Sequence, residues 1–104
     1  MIRSVLTLRA KSGRSAELEN FYAQHRILER SRHFPGCLGS ELLRAVESAT
    51  ATHLVIADWE TSDDYRSWVT NPWRADVSEQ LAELLDARPG EALVGGVFEV
   101  VPEA

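Results

Sequence analysis

Hydrophobic and polar positions change period several times along this chain. From Ile2 to Arg9 they alternate, with Ile2, Leu6 and Leu8 on one side and Val5 and Thr7 on the other, which predicts a strand. Lys11-Ser12-Gly13 supplies turn chemistry. Ser15 is then a candidate N-cap, with Glu17 and Glu19 in a first turn where the helix dipole favours acids. Leu18, Phe21, Tyr22, His25 and Leu28 recur at helical spacing to about Ser31, and Phe34-Pro35-Gly36 breaks the pattern. Cys37 to Val46 reads as a second strand, with Leu38 and Leu42 on one face, and Glu47 to Ala51 as a hairpin connection. Thr52 to Glu60 is a third strand.

Thr61 or Ser62 can cap the next helix, whose first turn carries Asp63 and Asp64 and whose apolar stripe is Tyr65, Trp68 and Val69. Asn71-Pro72 places an N-cap residue before a proline at the first helical position, which restarts a helix. Val77, Leu81, Leu84 and Leu85 continue its stripe to about Arg88. Pro89-Gly90 turns the chain, and Glu91 to Val101 is a last strand with a bulge or bend at Gly95-Gly96. The order is β-α-β-β-α-β, an α+β fold of the ferredoxin-like, split βαβ kind, with two helices on one face of an antiparallel sheet. Residues 1–104 form one domain, without repeat or linker.

The strands are apolar on both faces: Leu54 and Ile56 oppose Val55 and Ala57. A sheet with one wet face alternates more cleanly. A second sheet packed on the open face resolves this, and it predicts a homodimer whose sheets close a barrel-like core. At 104 residues the chain also gains from the extra apolar burial.

Composition narrows the partners. The chain is 44% hydrophobic with net charge −5, and its Lys and Arg are not clustered, which argues against nucleic-acid and anionic-membrane surfaces. Cys37 is the one cysteine, so an intrachain disulfide and a cysteine-rich zinc site are excluded. No signal peptide or membrane span is legible, and a cytoplasmic location is the expectation. The three histidines stand too far apart to suggest a metal site. Asp58 and Glu60 fall on the sheet face opposite Trp59, where Arg3, Arg9 or Arg44 could pair with Asp58.

All three tryptophans and one of the two tyrosines fall between Trp59 and Trp73. Such rings are either core packing or the wall of a flat apolar pocket. The segments Phe34-Pro-Gly-Cys-Leu-Gly-Ser-Glu-Leu-Leu-Arg44, Asp58-Trp-Glu-Thr-Ser-Asp-Asp-Tyr-Arg-Ser-Trp68 and Asn71-Pro72 resemble the antibiotic biosynthesis monooxygenase family of the dimeric α/β-barrel superfamily. The resemblance spans almost the whole chain.

It implies a pocket that takes an aromatic small molecule and needs no cofactor and no metal. Trp59, Tyr65, His25 and Arg74 are the catalytic candidates. Phe21, Tyr22, Val55, Trp68 and Trp73 are the substrate-binding ones. Trp59 and Tyr65 match the quinone-forming members. The pocket asparagine of those members falls at Val55, and their last-helix arginine falls near Ser78 or Glu79, which leaves Arg74 as the nearest substitute. For haem-degrading members Trp68 matches, whereas their strand-one asparagine falls at Leu6 and their axial histidine near Val77, which disfavours haem degradation. His25 is a candidate general base or a boundary residue. His33 lies at a helix C-terminus, where the dipole favours a cation and capping is the default role, and His53 has no partner visible in the sequence.

Three functions follow. The first is a cofactor-independent monooxygenase acting on a phenolic or polyketide-like intermediate of secondary metabolism. The second is a non-catalytic binding or cyclisation-assisting protein of such a pathway. The third is a stress-related or detoxifying member of the family.

Overall fold

The computed structural model describes residues 1–47, 50–86 and 95–103. Four strands, β1 (Ile2–Leu8), β2 (Cys37–Arg44), β3 (His53–Trp59) and β4 (Gly95–Glu99), form one antiparallel sheet in the order β2-β3-β1-β4. This is the expected ferredoxin-like topology. Ser4 lies opposite Ala57 and Leu8 opposite His53, so the residues of β1 and β3 that share a face are fixed by register. Leu8, Ala57 and Trp59 point to the helices and join the core with Leu18, Tyr22, Trp68, Val77 and Leu81.

Each expected helix is divided. The first forms α1 (Ser15–Gln24) and α2 (Ile27–Arg32), separated by Arg26 at φ 51°. A left-handed residue ends a helix, and neither glycine nor asparagine marks this one in the sequence. Ser15 is the first helical residue; the N-cap is Arg14, whose side chain makes no cap hydrogen bond. The second becomes α3 (Ser62–Val69) and α4 (Pro72–Ala82). Here the sequence was explicit. Thr61 Oγ1 accepts from Asp64 N–H at 3.2 Å, and Asn71 Oδ1 accepts from Trp73 N–H at 3.0 Å, with Pro72 starting the new helix. α4 ends at Ala82, short of Arg88, because Leu84 and Leu85 turn back to the sheet: Lys11 N–H donates to Leu84 O and Leu85 bridges Ala10.

Two glycines are set by close approach. Gly36 has φ +86°, and a Cβ there would lie 2.2 Å from Asp64 Cγ, so the Pro-Gly turn is pressed against α3. A Cβ on Gly95 would lie 2.3 Å from Val5 O. The β1–β4 register runs unbroken from Ile2↔Glu99 to Leu6↔Gly95, so Gly95-Gly96 marks contact between strands and not a bulge. The bulge lies instead in β2, between Cys37 and Gly39, and it turns Leu38 outward to 55% exposure while Leu42 stays against the core. Residues 48–49 of the expected hairpin connection, the Arg88 to Gly90 turn and residues 91–94 of the expected last strand lie outside the described residues.

Away from the helices the sheet presents Val5, Leu54 and Ile56, half-buried, with Leu43 and Phe98 exposed. Asp58 sits on this face and accepts from Arg3 Nε at 2.8 Å, which selects one of its three candidate partners. No helix among the described residues is long and apolar enough to cross a membrane.

Candidate functional site

β3 ends inside the protein. Trp59, its last residue, is 0% exposed, and its indole N–H donates to Ser4 Oγ at 3.1 Å. Ser4 Oγ–H in turn donates to Ala57 O at 3.4 Å, across the β1–β3 pair. Tyr65 meets Trp59 edge-on at 5.8 Å between centroids, and Phe34 does so at 6.5 Å. Such contacts are each worth about 0.5–1.5 kcal/mol beyond their burial. The rings continue through Phe34–Trp68 at 5.4 Å and Trp68–Trp73 at 6.1 Å.

Between the sheet and α2–α4 these residues leave a small cavity of about 40 Å³. Leu6, Val55, Trp59, Tyr65 and Trp68 form its apolar wall; Ser4, Ser31, Ser40 and Arg74 are its polar groups. Ser31 and Ser40 hydroxyls are 2.7 Å apart, and both reach Leu28 O. The polar atoms of the cavity are therefore mostly partnered within the protein. Arg74 differs. It is the one charged side chain on the wall, and no carboxylate lies within ion-pair distance of it among the described residues.

Five of the nine sequence-derived site residues, Val55, Trp59, Tyr65, Trp68 and Arg74, thus line one cavity. Phe21, Tyr22, His25 and Trp73 do not. Tyr22 is packed in the core, and burial pushes its phenol up to about 12 against a smaller opposing pull from Arg74. The Tyr22 phenol therefore stays protonated at neutral pH and cannot serve as a base. Phe21 and His25 pack against each other, with centroids 4.2 Å apart and ring planes tilted by 40°, at the end of α1. Trp73 lies on the outer side of Trp68. Burial raises the Cys37 thiol above its usual value, which suits an unreactive side chain.

The three cavity serines escaped the sequence reading. A signal existed for Ser4, which shares the parity of Ile2, Leu6 and Leu8 and so interrupts an apolar face with a hydroxyl.

His53 was also misread as partnerless. It is 1% exposed at the other end of β3, with Nε2 2.9 Å from Glu19 Oε2 and Nδ1 2.8 Å from Thr52 Oγ1. Arg44 Nε donates to the same carboxylate at 2.7 Å, and its Nη2 makes a second, very short bond to it. The Arg44 bond, then the His53 bond, hold the Glu19 carboxyl down at about 2. An ionised Glu19 only accepts, so His53 Nε2 carries its hydrogen. Glu19 is thus a clasp from α1 to β2 and β3 and not only a first-turn acid.

A one-sheet ferredoxin-like domain with an aromatic cavity between sheet and helices defines the class. The family model for antibiotic biosynthesis monooxygenases matches residues 1–80, and the chain belongs to that family. Solved structures agree on the fold. A candidate antibiotic biosynthesis monooxygenase from Deinococcus radiodurans superposes with a TM-score of 0.78 at 19% identity, covering 100% of this chain and 96% of that one. Another from Bordetella bronchiseptica gives 0.77 at 22% identity over 97% of both chains. The R26S mutant of MhuD, with two manganese protoporphyrin IX bound per active site, gives 0.73 at 24% identity over 100% of this chain and 98% of that one. At such identities the likeness carries the fold alone. No curated protein is significantly similar to the chain.

Proposed function

We propose that the protein is a cofactor-independent monooxygenase that oxidises a phenolic or anthrone-like aromatic compound of secondary metabolism. One observation carries this reading: the single charged group on the aromatic wall is a cation, Arg74, without an anionic partner among the described residues. A fixed positive charge in a largely apolar cavity favours the deprotonated form of an acidic aromatic substrate. Deprotonation of an anthrone methylene sends a proton to solvent and leaves a stabilised carbanion. The carbanion passes one electron to O₂. The carbon radical and superoxide then couple to form a C–O bond, and the peroxide takes up a proton. Loss of water leaves a carbonyl, so one O₂ and two C–H hydrogens become a quinone oxygen and water. The substrate supplies every electron, and no metal or flavin is required. Trp59 and Tyr65 hold the ring flat and keep water out.

A tricyclic substrate needs a few hundred Å³ and the cavity has about 40. The reading therefore requires α2, a six-residue helix with no side-chain cap at its start, to move outward with Leu28 and Ser31. Val55, at the position of the pocket asparagine in quinone-forming members, supplies no amide. That favours the second reading, a protein that binds or helps cyclise such a compound without oxidising it. A detoxifying role on another small substrate is the third. Haem degradation stays disfavoured, because Val77, near the axial histidine position, cannot ligate iron and is buried in the core, and Leu6 supplies no amide at the asparagine position.

Oxygen uptake and quinone absorbance with an anthrone or a naphthol, measured against buffer, separate these readings. The monooxygenase reading expects a rate above background that falls in Trp59→Phe and Tyr65→Phe. Saturable binding with no rate would leave the binding protein; neither would make the substrate class wrong.

The apolar open face supports a homodimer closed sheet to sheet. Ile56→Glu is expected to shift the protein to monomers in analytical ultracentrifugation, and an unchanged sedimentation coefficient would remove that interface.

A further inference from the structure

A second concavity lies outside the cavity wall. It is an open groove of about 400 Å³ between α2 and the α3–α4 corner, lined by Arg26, Glu29, Arg30 and His33 on one bank and Phe34, Trp68, Asn71 and Trp73 on the other. We propose that this groove is a binding site for a planar aromatic anion of the aryl carboxylate class, separate from the inner cavity and independent of the oxygenation reading.

The groove joins two features. Its floor is aromatic, with Phe34, Trp68 and Trp73 in continuous ring contact. Its rim is cationic. Two arginines face one glutamate there, in a chain whose net charge is −5. The Arg30 guanidinium carbon lies over the Trp73 ring, 4.3 Å from its centroid. A cation–π contact restrains the guanidinium over the ring and does not use up its N–H donors, which can grip a carboxylate. No carboxylate of the described residues comes within ion-pair distance of Arg30. Glu29, the one acid on the rim, sits 3.9 Å from Arg26 Nε, so its charge is partly met by a neighbour. Asn71 uses its carbonyl oxygen to cap α4, which leaves its amide NH₂ as a further donor at the groove.

An aryl carboxylate satisfies both halves: ring on the aromatic floor, carboxylate on Arg30. A neutral aromatic would leave the cation unused, and a small inorganic anion would leave the floor wet.

Naphthoate and its neutral isostere naphthamide are suitable probes of the intact protein, by calorimetry and by the three tryptophan indole N–H resonances of isotope-labelled protein. Naphthoate is expected to bind saturably and about tenfold more tightly than naphthamide. It should shift the Trp73 and Trp68 indole signals and leave that of Trp59, which is bonded to Ser4 inside the protein. Arg30→Gln should weaken naphthoate about tenfold without changing the melting temperature. Arg14→Gln, which removes an equal charge at the N-cap of α1, should not weaken it. Equal affinity for the two probes, absence of saturable binding, a shift confined to Trp59, or equal losses in Arg30→Gln and Arg14→Gln would each overturn the proposal. None of these outcomes bears on oxygen uptake, so the monooxygenase reading can stand or fall separately.

Discussion

The two ends of β3 place one buried side chain each against the helices, six positions apart on the same face of the strand. Both are essentially inaccessible: His53 at 1% and Trp59 at 0%. Their surroundings differ in what is left over. At the His53 end every group has a partner: imidazole to Glu19 and Thr52, Glu19 to Arg44, with Thr52 Oγ1 also accepting from Ala10 N–H at 2.9 Å. At the Trp59 end there is residual space, and the cation Arg74 has no anion to answer it among the described residues. Burial alone does not distinguish a structural polar residue from a functional one. Unspent bonding capacity beside a cavity does.

Trp59→Ala should have the largest effect on this contrast. It removes a fully buried indole and its contacts with Tyr65 and Phe34. A loss of about 3–5 kcal/mol is expected in urea unfolding, within reach of the whole stability of a domain this size. A loss below about 1 kcal/mol would mean that the cavity end is already loose and that Trp59 does not hold the sheet to the helices.

Glu19→Ala tests the opposite end. It strands His53 Nε2–H in a buried site, at a cost of about 1–3 kcal/mol. The pH profile carries the sharper signature. The folded-state value of Glu19 is about 2 against an ordinary 4.5, so the folded protein binds fewer protons there than the unfolded one. Its contribution is present in full above 4.5 and is lost as pH falls through about 2. The stability difference between wild type and Glu19→Ala should therefore be flat above pH about 5 and shrink below it. A constant difference down to pH about 2 would remove the ion-pair explanation.

Legibility in the sequence followed the range of the interaction. Element order was readable because strand alternation, Thr61 and Asn71-Pro72 are local signals. The division of the first helix was not, because Arg26 takes a left-handed conformation without the residue type that usually announces it. Trp59, Tyr65, Trp68 and Arg74 of the cavity wall were found through the cluster from Trp59 to Arg74. The part contributed by Ser31 and Ser40 depends on α2 meeting β2, a tertiary contact. Likewise Glu19 and His53 are thirty-four positions apart, and no spacing rule joins them. His25 looked interior by helical periodicity, yet the turn at Arg26 moves it to the end of α1, beside Phe21.

Ser4→Ala should be milder, although it too unpairs a buried donor, the Trp59 indole N–H. The neighbouring cavity of about 40 Å³ is large enough to admit a water. A bridging water can replace much of the lost bond, so the cost should lie near about 1 kcal/mol. The two ends should therefore respond differently to the loss of one partner: the cavity beside Trp59 can admit a water, whereas His53, 1% exposed, loses a charged partner. Equal costs for Ser4→Ala and Glu19→Ala would contradict that.

Arg74→Gln should change stability least, by no more than about 0.5 kcal/mol, because no ion pair is lost. Its effect on ligands is the reverse. If Arg74 favours an ionised aromatic in the cavity, the bound phenol of a naphthol should ionise at lower pH in wild type than in Arg74→Gln. Phenolate absorbance of the complex across a pH titration reads this directly, whether or not oxygen is consumed. An unchanged ionisation midpoint would leave Arg74 as a wall residue like Val55. A midpoint raised in the variant, with stability intact, would show that the Trp59 end keeps its cation for a ligand, whereas the His53 end uses its own to close the fold.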